Sequence, residues 1–354
     1  MISVKSDAEK PAVALPAPAN HTVVVGGLAA SLLLLVFVSL SIGRYPIGIH
    51  DVLAILAGSL HLSPALQDSP AHLVLFNVRL PRVCAALIVG ASLSGSGACY
   101  QGIFRNPMVE PSLLGVTAGS AFGAALAILL SASIVFIQLS AFIFGIIAVL
   151  TTAAIASVVN RSGEKTLTLI LCGIVTGTLF ASFLSLAKYV ADPNSKLPAI
   201  TYWLMGSLAS VSMTDIQIAV ISVITGLVPL MLLRWRINTL AFGDDEAKSL
   251  GVNTSLIRIL AIVSSTLMTA SAVSISGMIG WIGLVIPHLA RMLVGPSFTI
   301  LLPASVLLGA LFLLFVDTVA RIVFPVEIPL GILTAIMGAP FFILLLSRGK
   351  RGWV

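Results

Sequence analysis

Long apolar runs without charge constrain this chain more than any other feature of its sequence. The run 22–42 contains no Asp, Glu, Lys or Arg, and a membrane-spanning helix needs about 20 predominantly apolar residues. Across the chain 58% of residues are hydrophobic and 9% are charged, whereas soluble domains carry about 25% charged residues. The sequence therefore predicts an all-α polytopic membrane protein.

Ten such runs follow one another and predict about ten transmembrane helices in a single transmembrane domain over 22–348. The region 255–294 is the hardest to divide, and it can be read as two spans joined by a tight turn at 277–280. An even number of spans places both termini on one side of the membrane. The predicted spans are 22–42, 80–103, 112–132, 135–158, 166–189, 211–233, 255–274, 277–294, 301–323 and 330–347.

The distribution of Lys and Arg predicts which side that is. With the N-terminus in the cytoplasm, thirteen of the nineteen Lys and Arg residues fall on the cytoplasmic side and six outside, as the positive-inside rule favours. The polar segment 1–21 is then predicted to be a disordered cytoplasmic tail. The first apolar run is too long for a signal-peptide core and lacks an A-x-A-like cleavage site, so it counts as the first span.

The densest charge cluster, 242–252, lies between two apolar runs and is predicted to form a short polar helix. Its three acids would occupy the first turn, where they complement the helix dipole, and Gly251 would end the helix. Ala247 and Leu250 would share one apolar face. Such a helix must contact something outside the bilayer. Its candidate residues are Gly243, Asp244, Asp245, Glu246, Ala247, Leu250 and Gly251.

Charged residues near the outer ends of two predicted spans leave alternatives open. Arg79 and Arg82 flank Leu80-Pro81 at the start of the second span. They are expected either to extend to the membrane interface or to form a positive rim that receives carboxylates from a partner. Asp317 and Arg321, four residues apart on the ninth span, could pair on one helix face or belong to a proton relay.

The fifth predicted span, 166–189, carries small residues and hydroxyls at helical spacing. Glycines four residues apart here, and at Gly115, Gly119 and Gly123 in the third span, allow close helix packing. The hydroxyls could line a wet passage or bond carbonyls of their own helix, and sequence does not separate these alternatives. The candidate pathway residues are Thr176, Gly177, Ser182 and Ser185.

The chain has no sequence pattern typical of a catalytic or energy-converting site. The segment 161–166 lacks the glycine spacing of a P-loop, and neither an H-E-x-x-H motif nor a nucleophile elbow occurs. The three cysteines have no metal-ligand or disulfide spacing. We therefore expect no catalytic residue, metal site, bound cofactor or nucleic-acid partner, so any ATP chemistry belongs to another chain.

Six motifs in register resemble the FecCD family, the permease subunits of type II ATP-binding-cassette importers for iron chelates, haem and vitamin B12. The resemblance runs from about residue 79 to the C-terminus. The first motifs are Arg79-Leu-Pro-Arg82, Gly95-Ser-Gly followed by Gln101 to Gly115, and Tyr202-Trp-Leu-Met-Gly206. The others are Gly243 to Gly251, Ile279 to His288, and Glu327-Ile-Pro-Leu-Gly331.

The resemblance implies a ten-helix fold and a role in a larger assembly in the bacterial cytoplasmic (inner) membrane. Such permeases work as a pair, identical or related, with two ATPase subunits that use ATP and Mg and with an extracytoplasmic substrate-binding protein. It also implies that 243–251 is a coupling helix that docks into the ATPase. Arg79, Arg82 and Arg321 would receive carboxylates of the binding protein, and the fifth span would line the central passage.

The implied function is ATP-driven import of an iron chelate by alternating access. A ferric siderophore is the expected substrate, with haem, a corrinoid or an oxyanion as alternatives, because no residue in the sequence selects among them. An ion-coupled secondary transporter is a more distant alternative, since the acids lie mostly at span ends. A membrane-embedded enzyme would need a catalytic constellation, which the sequence lacks.

Overall fold

The computed structural model describes residues 21–59, 69–159, 165–323 and 326–348. Within these ranges the chain forms helices, turns and loops, and no β-strand. The predicted tail lies outside the described residues except for its last residue, His21, which begins the first helix. Residues 161–164 of the segment that was compared with a P-loop also lie outside them.

The described helices follow one another in the order of the predicted spans, with four short helices between them. A π-helical turn, Leu75–Arg79, and two 3₁₀ turns, Pro111–Leu114 and Leu240–Phe242, join some of them. They are α1 (His21–Ser41), α2 (Ile49–Ser59), α3 (Pro70–Val74), α4 (Leu80–Ile103), α5 (Val116–Leu129), α6 (Ile134–Val159), α7 (Lys165–Val190), α8 (Lys196–Met205), α9 (Met213–Thr239), α10 (Asp244–Ser249), α11 (Thr254–Ser276), α12 (Ile282–Val294), α13 (Phe298–Ile322) and α14 (Leu330–Arg348).

The ten predicted spans all correspond to apolar helices. Seven helical stretches of the described chain are long and apolar enough to cross a membrane, and three shorter apolar helices accompany them. The tight turn proposed within 255–294 is present, since α11 ends at Ser276 and α12 begins at Ile282. The predicted all-helical membrane fold is therefore confirmed. Below, the end of the bundle that carries α10 is the coupling end, and the opposite end is the outer end.

Two helices are shorter than the apolar runs that predicted them. The run 112–132 breaks at Gly115, where a φ of 87° interrupts the helix, and α5 begins only after it. In the run 277–294, positive φ values of 69° at Gly277 and 71° at Trp281 delay the start of α12. Positive φ is incompatible with a right-handed helix. The length of the apolar run therefore overestimated the length of both helices.

The second span is longer than predicted, because α3, the π-helical turn and α4 form one stretch, Pro70–Ile103, of 34 residues. The predicted span began at residue 80 and placed Pro81 in the first turn of the helix, where proline is tolerated. The helix instead continues through this position, with the wider π-helical turn immediately before α4. Such a turn changes the hydrogen-bond register where proline lacks its N–H.

α4 lies at the centre of the bundle and packs against α13, α11 and α12. Gly90 faces Gly309 of α13 so closely that a Cβ on Gly90 would lie 2.2 Å from the Gly309 carbonyl oxygen. The glycine spacing of the third predicted span has the same role, since a Cβ on Gly119 of α5 would lie 2.4 Å from the carbonyl oxygen of Phe144 on α6. These glycines stabilise helix pairs within the chain through close van der Waals contact.

Candidate functional site

The short helix predicted from the charge cluster is present as α10, between α9 and α11. Gly243 precedes it with a φ of 120°, and Gly251 follows it with a φ of 77°, so both ends need the conformational freedom of glycine. Its first turn holds Asp244, Asp245 and Glu246, where acids complement the unpaired N–H groups. The predicted local structure of this segment is confirmed.

The prediction that Ala247 and Leu250 share one apolar face of this helix is wrong for Leu250. Ala247 is fully buried and belongs to the same buried cluster as Leu240 and Ile257. Leu250 is 65% exposed, because it lies beyond the last helical residue, in the turn that Gly251 closes. Ala247 therefore anchors α10 to the bundle, and Leu250 points away from it.

Asp244 ties α10 to α11 through a two-point ion pair with Arg258. Its two carboxylate oxygens lie 2.6 and 2.7 Å from the two terminal nitrogens of the guanidinium. The hydrogen bonds from Arg258 lower the pKa of Asp244 below its ordinary value, although desolvation opposes them. A bidentate pair of this kind fixes orientation as well as adding energy, so α10 is held firmly on α11.

Sequence reasoning did not single out Arg258 as a site residue, although a signal for it existed. It is the only charged residue in the run 255–274, and a lone charge in an apolar run needs a partner. The partner could not be read from the sequence, because fourteen positions and a turn separate it from Asp244.

The side of α10 that faces away from the bundle is open to a partner. The Asp245 side chain is 93% exposed, and its ion pair with Lys248, at 3.0 Å, lies on the surface. Phe242 and Leu250, at the two ends of the helix, are 69% and 65% exposed. We call these four residues the α10 surface. Exposed apolar side chains next to charges are typical of a protein contact site.

At the outer end, two of the predicted rim arginines converge on one buried carboxylate. The Arg82 Nε lies 2.8 Å from one oxygen of Asp317, and its Nη1 lies 2.9 Å from Glu327. The Arg321 Nε lies 3.1 Å from the other Asp317 oxygen. Of the two alternatives for Asp317 and Arg321, the structure thus contains the pair, and the carboxylate joins α4 to α13.

Arg79 closes the C-terminal end of α1. Its guanidinium donates to the carbonyl oxygens of Leu40, Ser41 and Tyr45, and the last carbonyls of a helix have no partner within that helix. All three arginines are buried, with 3% of Arg79, 6% of Arg82 and 7% of Arg321 exposed. We call these three arginines with Asp317 and Glu327 the outer arginine cluster.

The alternative that Arg79 and Arg82 extend to the membrane interface is therefore wrong. Each one is buried and bonded within the chain, since a charge removed from water needs partners in the protein. A docking role for Arg79, Arg82 and Arg321 stays a prediction. Glu327, which the sequence offered only as part of a motif, is the most exposed carboxylate of this cluster, with 30% of its side chain accessible.

The predicted pathway residues of α7 lie on different faces of that helix. Ser182 and Ser185 are exposed and donate to carbonyl oxygens one turn earlier in the helix, at 3.0 and 2.9 Å. Thr176 is fully buried, and its hydroxyl has no hydrogen-bond partner within the described chain. Gly177 is partly buried beside Gly115. Of these four residues, Ser182 and Ser185 are the ones that could face a passage alongside this helix.

The residues that the structure describes contain no group of three His, Cys, Asp or Glu side chains that could hold a metal ion. The cysteines Cys84, Cys99 and Cys172 are free. The charges brought together at the two ends of the bundle thus form ion pairs and an exposed surface, which can join helices or bind a partner.

Comparison with known proteins relates these features to a family. Residues 31–348 match the FecCD transport family. The molybdate import system permease protein MolB of Haemophilus influenzae is 41% identical over 338 residues, which cover 95% of this chain and 98% of the relative. A probable iron chelatin transport system permease protein of Helicobacter pylori is 45% identical over 282 residues, covering 80% of this chain and 85% of the relative.

The fold also matches a solved structure, a metal-chelate type ABC transporter in an inward-facing conformation. The TM-score is 0.81 at 40% sequence identity, over 92% of this chain and 99% of that chain. These relatives are permease subunits, which are transport components and not enzymes, and ATP hydrolysis resides in a separate chain. The chain therefore belongs to the FecCD transport family and is a multi-pass permease subunit of an ABC importer.

Proposed function

We propose that this permease imports an iron chelate by alternating access, driven by a separate ATPase that docks on the α10 surface. The observation that carries the proposal is the pair between Asp244 and Arg258, with oxygen–nitrogen distances of 2.6 and 2.7 Å. It holds α10 on α11, which packs on α4 at the centre of the bundle. A displacement of α10 by the ATPase would therefore reach the core without a flexible joint.

The proposed assembly has two permeases, identical or related, two ATPase subunits that use ATP and Mg, and an extracytoplasmic binding protein. The bacterial cytoplasmic membrane would surround it, with the coupling end in the cytoplasm. α7 supports the pairing of two permeases, because Val175, Leu186 and Tyr189 are exposed on it together with Ser182 and Ser185. A partner permease on this mixed face would leave a passage between the two chains, and lipid would cover the other apolar faces.

The binding protein is proposed to dock at the outer end, where Glu327 partly covers Arg82. A carboxylate of the binding protein would reach Arg82 by replacing Glu327. Glu327→Gln should then strengthen docking at low salt, since a competing negative charge is removed. The matched control is Asp192→Asn, which removes an exposed acid elsewhere at the outer end. Equal docking affinities for the two variants would contradict this route.

The proposed substrate is a ferric siderophore, supported by the likeness to an iron chelatin permease and to a metal-chelate transporter. The molybdate permease is similar over more of the chain, and it supports an oxyanion as the second candidate. Haem and a corrinoid are further alternatives within the same transport function.

The test is uptake into proteoliposomes that contain the permease, its ATPase and its binding protein. Radiolabelled ferric siderophore, molybdate, haem and cobalamin are offered in turn, with and without ATP inside. We expect ATP-dependent accumulation of the siderophore. Accumulation of another substrate would replace the proposed one, and uptake driven by a proton gradient without ATP would overturn the importer mechanism.

A further inference from the structure

A cavity of about 600 Å³ lies at the outer end, between the α5–α6 turn, the start of α6, α8, the loop between α8 and α9, and the end of α11. None of the residues assigned above to coupling, docking or the passage lines it. Its polar lining includes Gln138, Lys196 and Tyr202 together with six serines. We call it the outer serine pocket, and the serines are Ser131, Ser195, Ser207, Ser210, Ser274 and Ser276.

Several hydrogen-bond donors of this pocket have no acceptor in the protein. The amide of Gln138 and the hydroxyl of Ser210 make no hydrogen bond within the described residues. The Ser207 hydroxyl accepts a backbone N–H at 3.1 Å and keeps its own proton to donate. Lys196 donates to the Ser131 hydroxyl, which engages one of the three protons of its ammonium group. The pocket therefore offers unused donors from several elements.

The charge in the pocket is positive. Lys196 is the only charged residue among those that line it. Asp192, the acid before α8, accepts hydrogen bonds from the backbone of Asn194 and from the backbone and hydroxyl of Ser195. These hydrogen bonds, more than the charge of Lys196, lower the pKa of Asp192. Within the described chain Asp192 and Lys196 form no direct ion pair, so the ammonium group of Lys196 can still contact an anion.

A second cavity, of about 620 Å³, has the opposite character. It lies around the turn between α11 and α12 and is lined mainly by apolar side chains such as Met205, Trp281 and Ile336. Its only charged lining residue is Glu110, which accepts a hydrogen bond from Ser112. Of these two cavities, the outer serine pocket is the one with a positive, donor-rich lining.

We propose that the outer serine pocket binds an anion that presents several oxygen atoms, either a tetrahedral oxyanion or the carboxylates of an anionic chelate. The proposal rests on the proposed import function, in which substrate arrives at the outer end. Ammonium, amide and hydroxyl groups donate to such oxygens, and hydrogen bonds with an ionised partner are the stronger ones. A volume of about 600 Å³ is typical of small-molecule sites.

The experiment measures anion binding to the full-length permease in nanodiscs by equilibrium dialysis, with molybdate in one arm and ferric citrate in the other. Lys196→Gln removes the positive charge, and Gln138→Glu places a carboxylate in the pocket. The matched control is Lys188→Gln, which removes a lysine at the outer end of α7 that does not line the pocket. We expect both pocket variants to weaken binding at least about tenfold and the control to leave it unchanged.

Binding of molybdate alone identifies a free oxyanion as the ligand, and binding of ferric citrate alone identifies a carboxylate chelate. The proposal is overturned if neither anion binds the unaltered permease at up to about 1 mM, or if Lys196→Gln and Lys188→Gln behave alike. Because no ATPase is present, this result is independent of coupling. Failure of the import function appears instead as loss of ATP-dependent uptake in the proteoliposomes.

Discussion

The two charged regions of this permease lie at opposite ends of the bundle and differ in their access to water. In the outer arginine cluster, Asp317 is completely buried and contacts both Arg82 and Arg321. On the α10 surface, the Asp245 side chain is 93% exposed. The sequence motifs implied a docking role for both regions, and they differ in that the α10 side chains face outward whereas the arginines are engaged within the chain.

This difference shows that the burial of a charged side chain, more than its residue type, decides its role. Removing one partner of a buried ion pair costs about 3–5 kcal/mol, because the other charge is left uncompensated. An exposed pair contributes about 0–1 kcal/mol, and its groups can exchange water for a partner protein. The outer cluster is therefore a structural joint of α1, α4 and α13, and the α10 surface is free to bind.

The largest expected effect comes from making α10 flexible. Insertion of Gly-Ser after Lys248 should reduce ATP-driven uptake to background, because α10 would no longer move as one body with α11. The same insertion after Gly295, in another turn at the coupling end, is the control and should retain uptake. Membrane insertion of both variants is checked by membrane fractionation. Unchanged uptake after the Lys248 insertion would contradict the coupling role of α10.

Removal of the buried carboxylate should have the next largest effect, on stability. Asp317→Ala leaves Arg82 and Arg321 without their shared partner, and we expect the free energy of unfolding to fall by about 3–5 kcal/mol. Asp245→Ala, which removes an exposed acid, should change it by less than about 0.5 kcal/mol. Denaturant unfolding in detergent measures both. Similar losses of unfolding free energy in the two variants would contradict the stated difference between the buried cluster and the exposed α10 surface.

Breaking the tie between α10 and α11 should have an intermediate effect. Asp244→Asn is expected to lower transport per ATP hydrolysed about threefold to tenfold, because charge-assisted hydrogen bonds to Arg258 are weakened. The double variant Asp244→Arg with Arg258→Asp should recover part of the loss, since the pair is rebuilt with reversed charges. Uptake and ATPase rates are measured on the same proteoliposomes. A double variant no better than either single variant would argue against the pair as the link.

The smallest effect is expected from pH. Because Arg258 lowers the pKa of Asp244 in the folded protein, the stability that this pair contributes is fully present above the unfolded pKa and is lost only as pH falls through the lower folded value. The ordinary pKa is about 3.9. The ratio of transport by the unaltered protein to transport by Asp244→Asn should therefore be constant between about pH 5 and 8. If the ratio changes with pH between about 5 and 8, another group that titrates must contribute to the contact between α10 and α11.

Much of the fold could be predicted because its signals are local. An apolar run of sufficient length predicts a span, and three acids followed by Gly251 predict the short helix α10. The errors arose where the backbone departs from helical geometry. Gly115 and Trp281 shorten two helices, and the π-helical turn before Leu80 lengthens another. Positive φ and changes of hydrogen-bond register depend on surrounding packing, which composition does not report.

The sequence by itself determined a polytopic helical membrane protein with a short charged helix at one end and no P-loop of its own, since length, hydropathy and motif spacing are local properties. Only the tertiary structure decided which charges are buried. Arg82 meets Asp317 across 235 residues of sequence, and the donors of the outer serine pocket come from separate helices and turns. Such contacts depend on how distant helices pack, and burial then determines whether a charge holds the fold together or remains available to a partner.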